Sequence, residues 1–330
     1  MKQINWGIIG CGDVTEVKSG PAFNKVDGSR LVAVMRRNGK KAADYAQRHG
    51  VPRWYDKAGD LINDPDVNAI YVATPPDSHC DYAIMAMKAG KPVYVEKPMA
   101  ASFQQCLEMN RVSEETGVAL FVAYYRRTLP GFLKVKELID QGTIGKPFMA
   151  TIQFMRPALS VEKNQQSAWW RIDPSIGGGG LFYDLGSHQL DFLDYLFGGI
   201  GEVKGFVRNF GDFYEAEDTV VLSGAFENGV LLNGQWSFIT DAASACDKME
   251  IIGSKGRIRF SCFSHDPVEL INSAGEIHFP YLNPENIQYN LIKQVVEELQ
   301  GISHCVSTGK TAARTSKILE EVIYGSLNSK

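Results

Sequence analysis

A lysine at the end of an apolar run, an aspartate and a histidine four residues apart, and two glycines leading into a helix are the parts of this sequence that can do chemistry. Lys97 follows Val93-Tyr94-Val95-Glu96 and precedes Pro98. An ammonium held there can polarise a carbonyl oxygen and stabilise the alkoxide that develops, most strongly in a closed, water-poor cleft. His188, with a reference pKa of about 6.5, can exchange a proton near neutral pH. Asp184 stands four residues earlier, where it can orient that imidazole or bind a substrate hydroxyl. Reducing a ketone takes a hydride at carbon and a proton at oxygen. The residues leave open whether Lys97 or His188 gives the proton.

A hydride needs a carrier, and the first twenty residues suggest one. The run Asn5-Trp6-Gly7-Ile8-Ile9 breaks at Gly10-Cys11-Gly12-Asp13-Val14 and passes into helix-forming sequence. Gly10 permits a tight strand-to-helix turn, Gly12 lets the backbone approach a pyrophosphate, and the following helix offers its N-terminal N–H groups to the anion. The third fingerprint position is Thr15, which loosens the expected close packing of helix on strand.

Alternation of short apolar runs and helical segments supplies the scaffold. Arg30–Met35 reads as a buried parallel strand, and Arg36-Arg37-Asn38 lies just beyond it, where a carboxylate would bind the ribose hydroxyl of NAD. Two cations suit a 2′-phosphate, so NADP is the expected cofactor, with NAD as the alternative. The strand Asn68–Ala73 runs into Thr74-Pro75-Pro76-Asp77-Ser78-His79, and ligands lie off such carboxyl ends, so Thr74, Pro75, Pro76 and His79 join the cofactor residues with Glu96 and Lys97. Ser102 with Gln105 fits a capping box. Six strand–helix alternations complete a doubly wound parallel domain over residues 1–124.

From residue 125 the pattern changes to longer alternating segments, an α+β domain over 125–330 with an open, mostly antiparallel sheet, whose last helix packs back on the first domain. On the helix expected from Ser187 to Phe197, Leu190, Leu193, Leu196 and Phe197 form one face, while His188, Asp191, Asp194 and Tyr195 form the other. Trp170 and Arg171 are substrate-side candidates, since an indole stacks on a sugar face and an arginine fork holds hydroxyls or carboxylates; Tyr124 and Arg126 are candidates of the same kind.

Length and composition fit two soluble domains: 330 residues, 44% apolar and 22% charged. A net charge of −4 gives no electrostatic reason to expect nucleic acid. The N-terminus enters a strand with no signal-peptide core, no apolar run reaches membrane-spanning length, and a cytoplasmic protein is expected. Six scattered cysteines read as reduced thiols, with no metal site.

Together these features resemble the Gfo/Idh/MocA family of NAD(P)-dependent oxidoreductases. The resemblance spans most of the chain and rests on the early glycine turn, on Glu96-Lys97-Pro98, on Gly178 through His188, and on Ser307-Thr308-Gly309 with Ala312 and Ala313. It implies a Rossmann domain, a second domain whose open sheet serves in homodimer or homotetramer contacts, and a carbohydrate-like substrate held between the two. It also implies that Lys97 is the catalytic lysine, that Asp184 and His188 complete the polar active site, and that the Lys97–Pro98 peptide is cis. The expected activity is hydride transfer between nicotinamide and a secondary alcohol or ketone of a sugar, polyol or related cyclic compound. A glycoside hydrolase with a recycled cofactor is the alternative, and a non-catalytic NADP(H) sensor is a third reading.

Overall fold

The computed structural model describes residues 3–164 and 169–327. The chain divides into two compact units, one running to Tyr125 and taking back Pro284–Ala313, the other holding Arg126–Asn283 and the chain from Arg314 on.

In the first unit six parallel strands, β1 (Ile4–Ile9), β2 (Ser29–Met35), β3 (Arg53–Tyr55), β4 (Ala69–Val72), β5 (Val93–Val95) and β6 (Leu120–Val122), lie in the order β3-β2-β1-β4-β5-β6. Strands β4, β5 and β6 are buried throughout, which explains why they read as unbroken apolar runs: a parallel sheet is covered on both faces. The order reverses at β1, between β2 and β4, so the carboxyl ends of β1, β2, β4 and β5 open on one edge of the sheet. Those ends lead directly to Gly10, Arg36, Thr74 and Glu96-Lys97. The helix Phe103–Thr116 starts with Ser102 Oγ accepting from Gln105 N at 3.3 Å, while Gln105 Oε1 is buried without a hydrogen-bond partner. Only the forward half of the expected capping box is therefore made.

Pro284–Ala313, expected in the second domain, returns to the first. Ser307 Oγ donates to Val122 O at 2.7 Å, Val122 N donates to Ser307 O at 3.2 Å, and Ala312 and Ala313 enter the core around β4, β5 and β6. The same segment holds the helix Tyr289–Leu299, which buries Leu291, Ile292, Val295 and Val296, and an amphipathic pattern of that kind does not say which unit the helix joins.

The second unit is built on an eight-stranded sheet of β7 (Pro147–Met155), β8 (Ile200–Arg208), β9 (Thr219–Phe226), β10 (Leu231–Ser237), β11 (Cys246–Gly253), β12 (Gly256–Phe260), β13 (Val268–Asn272) and β14 (Gly275–Phe279). Its order is β14-β13-β12-β11-β7-β10-β9-β8, antiparallel except where β10 runs parallel to β7. The hairpin of β13 and β14 was not expected; β14 is almost wholly exposed and carries no buried face to read. Along β7, Ala150, Ile152 and Phe154 face the core, whereas Phe148 is exposed. Phe206, Val221 and Leu231 stand exposed on the neighbouring strands, with Phe206 directly opposite Val221.

The helix Ser187–Phe197 differs from its expected amphipathic form, because its polar side is buried as well as its apolar side. Arg127 meets Asp191 through two hydrogen bonds of 2.8 and 2.6 Å, Arg314 holds Asp194 in the same bidentate way, and Thr315 reaches Asp191. Paired guanidinium and carboxylate groups are what let these charges leave water.

Candidate active site

At the end of β1, Gly10 turns the chain at φ +94, a conformation that disfavours a side chain, and an added Cβ would lie 2.6 Å from Thr74 Cγ2. Gly10 N and Cys11 N both donate to Met35 O at the end of β2. Gly12 differs: a Cβ there meets nothing closer than Gly10 O at 3.8 Å and Arg36 Nη1 at 4.0 Å. Internal packing does not demand glycine at 12, whereas a backbone approached by phosphate does, so these residues fit a bound dinucleotide. The helix after the turn is short, spanning Asp13–Val17, and Gly12 N is taken up by Thr15 Oγ1 at 3.0 Å. Thr15 is fully buried, its hydroxyl closing the turn that a third glycine would leave open. Its presence trades one amide for local rigidity. Asp13 and Val14 begin the helix at the surface. Arg36 donates from Nη1 to Cys11 O at 3.3 Å and so lies across the glycine turn, while Arg37 is exposed. Burial pushes the Cys11 thiol up to about 11 against the pull of Arg36.

Beyond β4, Thr74 and Pro75 are half-buried and Pro76 opens a single turn, Pro76–Ser78, with Ser78 Oγ donating to Thr74 Oγ1 at 2.8 Å. His79 lies inside rather than on the surface: its Nε2 is 2.7 Å from Thr74 O and its Nδ1 3.1 Å from Pro98 O. Burial pushes its pKa below the usual histidine value, opposed by those two carbonyls and the charge of Glu96. Glu96 also turns inward. Its Oε1 accepts from Tyr71 Oη at 2.5 Å and Gln288 Nε2 at 2.6 Å, and its Oε2 accepts from Lys97 N at 3.2 Å. The Lys97–Pro98 peptide is cis, and Lys97 is half-buried. Tyr124, expected to meet substrate, is fully buried in the core of the first unit.

In the second unit Asp184 sits in a π-helical turn, Phe182–Gly186, that runs straight into the helix bearing His188. The wider turn inserts a residue, so Asp184 and His188 are not related by an ordinary α-helical step. Asp184 Oδ2 accepts from Arg171 Nε at 3.1 Å, and Arg171 lies 4.2 Å over the ring of Trp170. Those three substrate-side candidates come together. His188 is buried, edge-on to Phe263 at 6.1 Å between ring centres. Arg126 is also buried, donating to Cys262 O at 3.1 Å with its guanidinium 4.5 Å over Phe263.

A family model described as "Oxidoreductase family, NAD-binding Rossmann fold" matches residues 4–124, and a "GFO/IDH/MocA C-terminal domain" model matches residues 132–259. The chain belongs to the Gfo/Idh/MocA family. It is 41% identical over 295 residues to Oxidoreductase P35 of Formosa agariphila, covering 89% of this chain and 90% of that one. It is 26% identical to 1,5-anhydro-D-fructose reductase of Ensifer adhaerens, covering 92% and 91%. Levoglucosan dehydrogenase, solved with NADH and levoglucosan, shares the fold at a TM-score of 0.88 and 20% identity, covering 100% of this chain and 98% of that one. As a member of this family the protein is a dehydrogenase or reductase acting on CH–OH groups. The names of these relatives favour oxidoreduction over the recycled-cofactor hydrolase.

For this Gfo/Idh/MocA enzyme, two contributors carried no signal in the sequence. Asp247, inside β11, accepts from the backbone N–H groups of Cys262, Phe263 and Ser264 at 3.0, 2.5 and 2.8 Å, and so fixes the loop that sets Phe263 against His188. Gln288 reaches Glu96 from 192 residues away. Both act across long sequence separations, where neither periodicity nor a motif marks them.

Proposed function

We propose that this family member is an NADP(H)-dependent oxidoreductase acting on a secondary alcohol or ketone of a sugar, polyol or related cyclic hydroxy compound. The observation that supports it best is the setting of Lys97, a half-buried lysine off the carboxyl end of β5 with its backbone tied to a buried carboxylate. Gly10, Gly12 and the residues around Thr74 would seat the cofactor, and Arg36 with Arg37 would meet a 2′-phosphate. A bound nicotinamide supplies or takes the hydride.

The Lys97 ammonium polarises the carbonyl oxygen in the direction of reduction and steadies the negative charge that develops on it. His188 belongs to the same proposal as a group able to exchange a proton near neutral pH, and either it or Lys97 passes the proton to that oxygen or removes it in oxidation. Asp184, with Arg171 on its outer oxygen and Trp170 beneath the guanidinium, offers a carboxylate and an indole face suited to a ring with hydroxyls. The purified protein, titrated with NADPH and NADH and then assayed at 340 nm against keto-sugars, inositols and anhydro-sugars, is expected to bind NADPH more tightly and to turn over at least one of these. Absence of turnover across the panel with tight NADPH binding points instead to the sensor.

The exposed apolar residues of the open sheet, Phe206 facing Val221 with Leu231 nearby, support pairing with a second copy of the chain through that face. Cysteine usage supports a cytoplasmic protein: five of six free thiols are buried. Among the described residues no helix is long and apolar enough to cross a membrane.

A further inference from the structure

We infer that Glu96 and His79 are positioning residues for Lys97, gripping the backbone on either side of it so that its side chain is presented in one place. The inference rests on the reading of Lys97 given above. Lys97 N donates to Glu96 Oε2 at 3.2 Å, and the carbonyl of the following residue, Pro98 O, lies 3.1 Å from His79 Nδ1. The two backbone groups that flank the lysine are thus both held by buried polar side chains.

Stability alone does not account for that arrangement. A carboxylate and an imidazole taken out of water are costly, and apolar residues of like size commonly serve packing as well or better. At Glu96 the polarity is matched atom by atom. Three donors converge on Glu96, from Tyr71, Gln288 and Lys97, and all three require an acceptor. An amide at position 96 would set an N–H against at least one of them. Gln288 is itself fully buried and oriented by Tyr94, whose hydroxyl donates to Gln288 Oε1 at 2.8 Å. His79 carries the grip further: its ring spans Pro98 O and Thr74 O, the N–H of the neutral imidazole donating to one of them according to tautomer, and Thr74 packs against the glycine turn at Gly10. The lysine, the turn after β4 and the glycine turn are consequently fixed to one another through His79.

The test uses the full-length enzyme with Glu96→Gln, His79→Asn and Tyr71→Phe beside Lys97→Ala. Measured are the melting temperature, NADPH affinity by fluorescence, kcat and KM on the panel compound that the wild type turns over, and the rate at which trinitrobenzenesulfonate labels Lys97, with Lys91 as internal reference. Positioning predicts folded variants that bind NADPH within about twofold of wild type, with kcat lower by roughly 10- to 100-fold for Glu96→Gln and His79→Asn and by roughly 3- to 10-fold for Tyr71→Phe, and KM little changed. Lys97 labelling shifts several-fold while Lys91 labelling holds. Wild-type kcat in the folded variants overturns the inference, as does a loss that follows weakened NADPH binding, which would make Glu96 and His79 cofactor contacts. If either of those variants fails to fold, Tyr71→Phe, which keeps its ring stacked on Tyr94, decides by the same criteria. Inactive Lys97→Ala beside fully active Glu96→Gln and His79→Asn overturns positioning alone; active Lys97→Ala overturns the reading of Lys97 and this inference with it.

Discussion

Arg36 lies over the glycine turn with its guanidinium on Cys11 O, an arrangement that leaves further N–H donors for an anion at the ribose. Replacing it tests cofactor choice at the scale of one side chain. Arg36→Ala is expected to weaken NADPH binding by roughly 10- to 100-fold, as loss of a charged hydrogen bond would, and to leave NADH binding nearly unchanged; titration by fluorescence checks both. Glu16, in the short helix after the turn, ties that helix to Arg48 and His49. Arg48 holds its carboxylate by two hydrogen bonds of 2.8 Å, His49 adds a third at 2.7 Å, and these hold the Glu16 pKa down to about 2. Because the folded value is lowered from 4.5, the contribution is present above about pH 4.5 and is lost as pH falls toward 2. Glu16→Gln is expected to lower stability at pH 7, where the contribution is fully present, to change little near pH 2, and so to flatten the acid limb of stability against pH, read by denaturant unfolding across that range. At this scale the sequence was most legible where chemistry is local. Gly10, Gly12 and Lys97 announce themselves through their neighbours, whereas Glu96 and His79 were placed at the cofactor and turn out to face inward, since direction is set by partners such as Gln288 that a motif does not show.

Among the elements, the glycine turn and the Ser187–Phe197 helix carry the strongest constraints. Gly10→Ala forces a side chain into a positive-φ position and against Thr74, so it is expected to cost about 1–3 kcal/mol of stability and to abolish dinucleotide binding, read by thermal unfolding with and without NADPH. The helix depends on its buried pair. Asp191 is pushed up to about 6 by burial, against the pull of Arg127, and removing either partner strands the other. Asp191→Ala is expected to cost about 3–5 kcal/mol by denaturant unfolding. The periodicity of this helix was legible and its surroundings were not: the same hydropathy pattern describes a polar face in water and one buried against Arg127 and Arg314. The π-helical turn at Asp184 was likewise invisible, because a one-residue insertion changes no residue type.

For the whole molecule, the division into a parallel-sheet unit and a unit with a largely antiparallel sheet followed from the change in alternation near residue 125, and the family resemblance added the functional reading. The returning segment Pro284–Ala313 did not follow, since the buried apolar face of its helix Tyr289–Leu299 does not say which unit it packs against and the remaining hold is a set of isolated hydrogen bonds. The open sheet carries a prediction of its own: light scattering should give a mass of at least twice 36.5 kDa, and Phe206→Asp should lower it toward that of one chain. A wild-type monomer at micromolar concentration contradicts it. The account as a whole turns on Lys97. The most direct measurement is the rate of nicotinamide absorbance change in Lys97→Ala against wild type, at saturating cofactor and with the best substrate of the panel. A fall of roughly a thousandfold or more with cofactor binding intact is the predicted result, and turnover equal to wild type would contradict it.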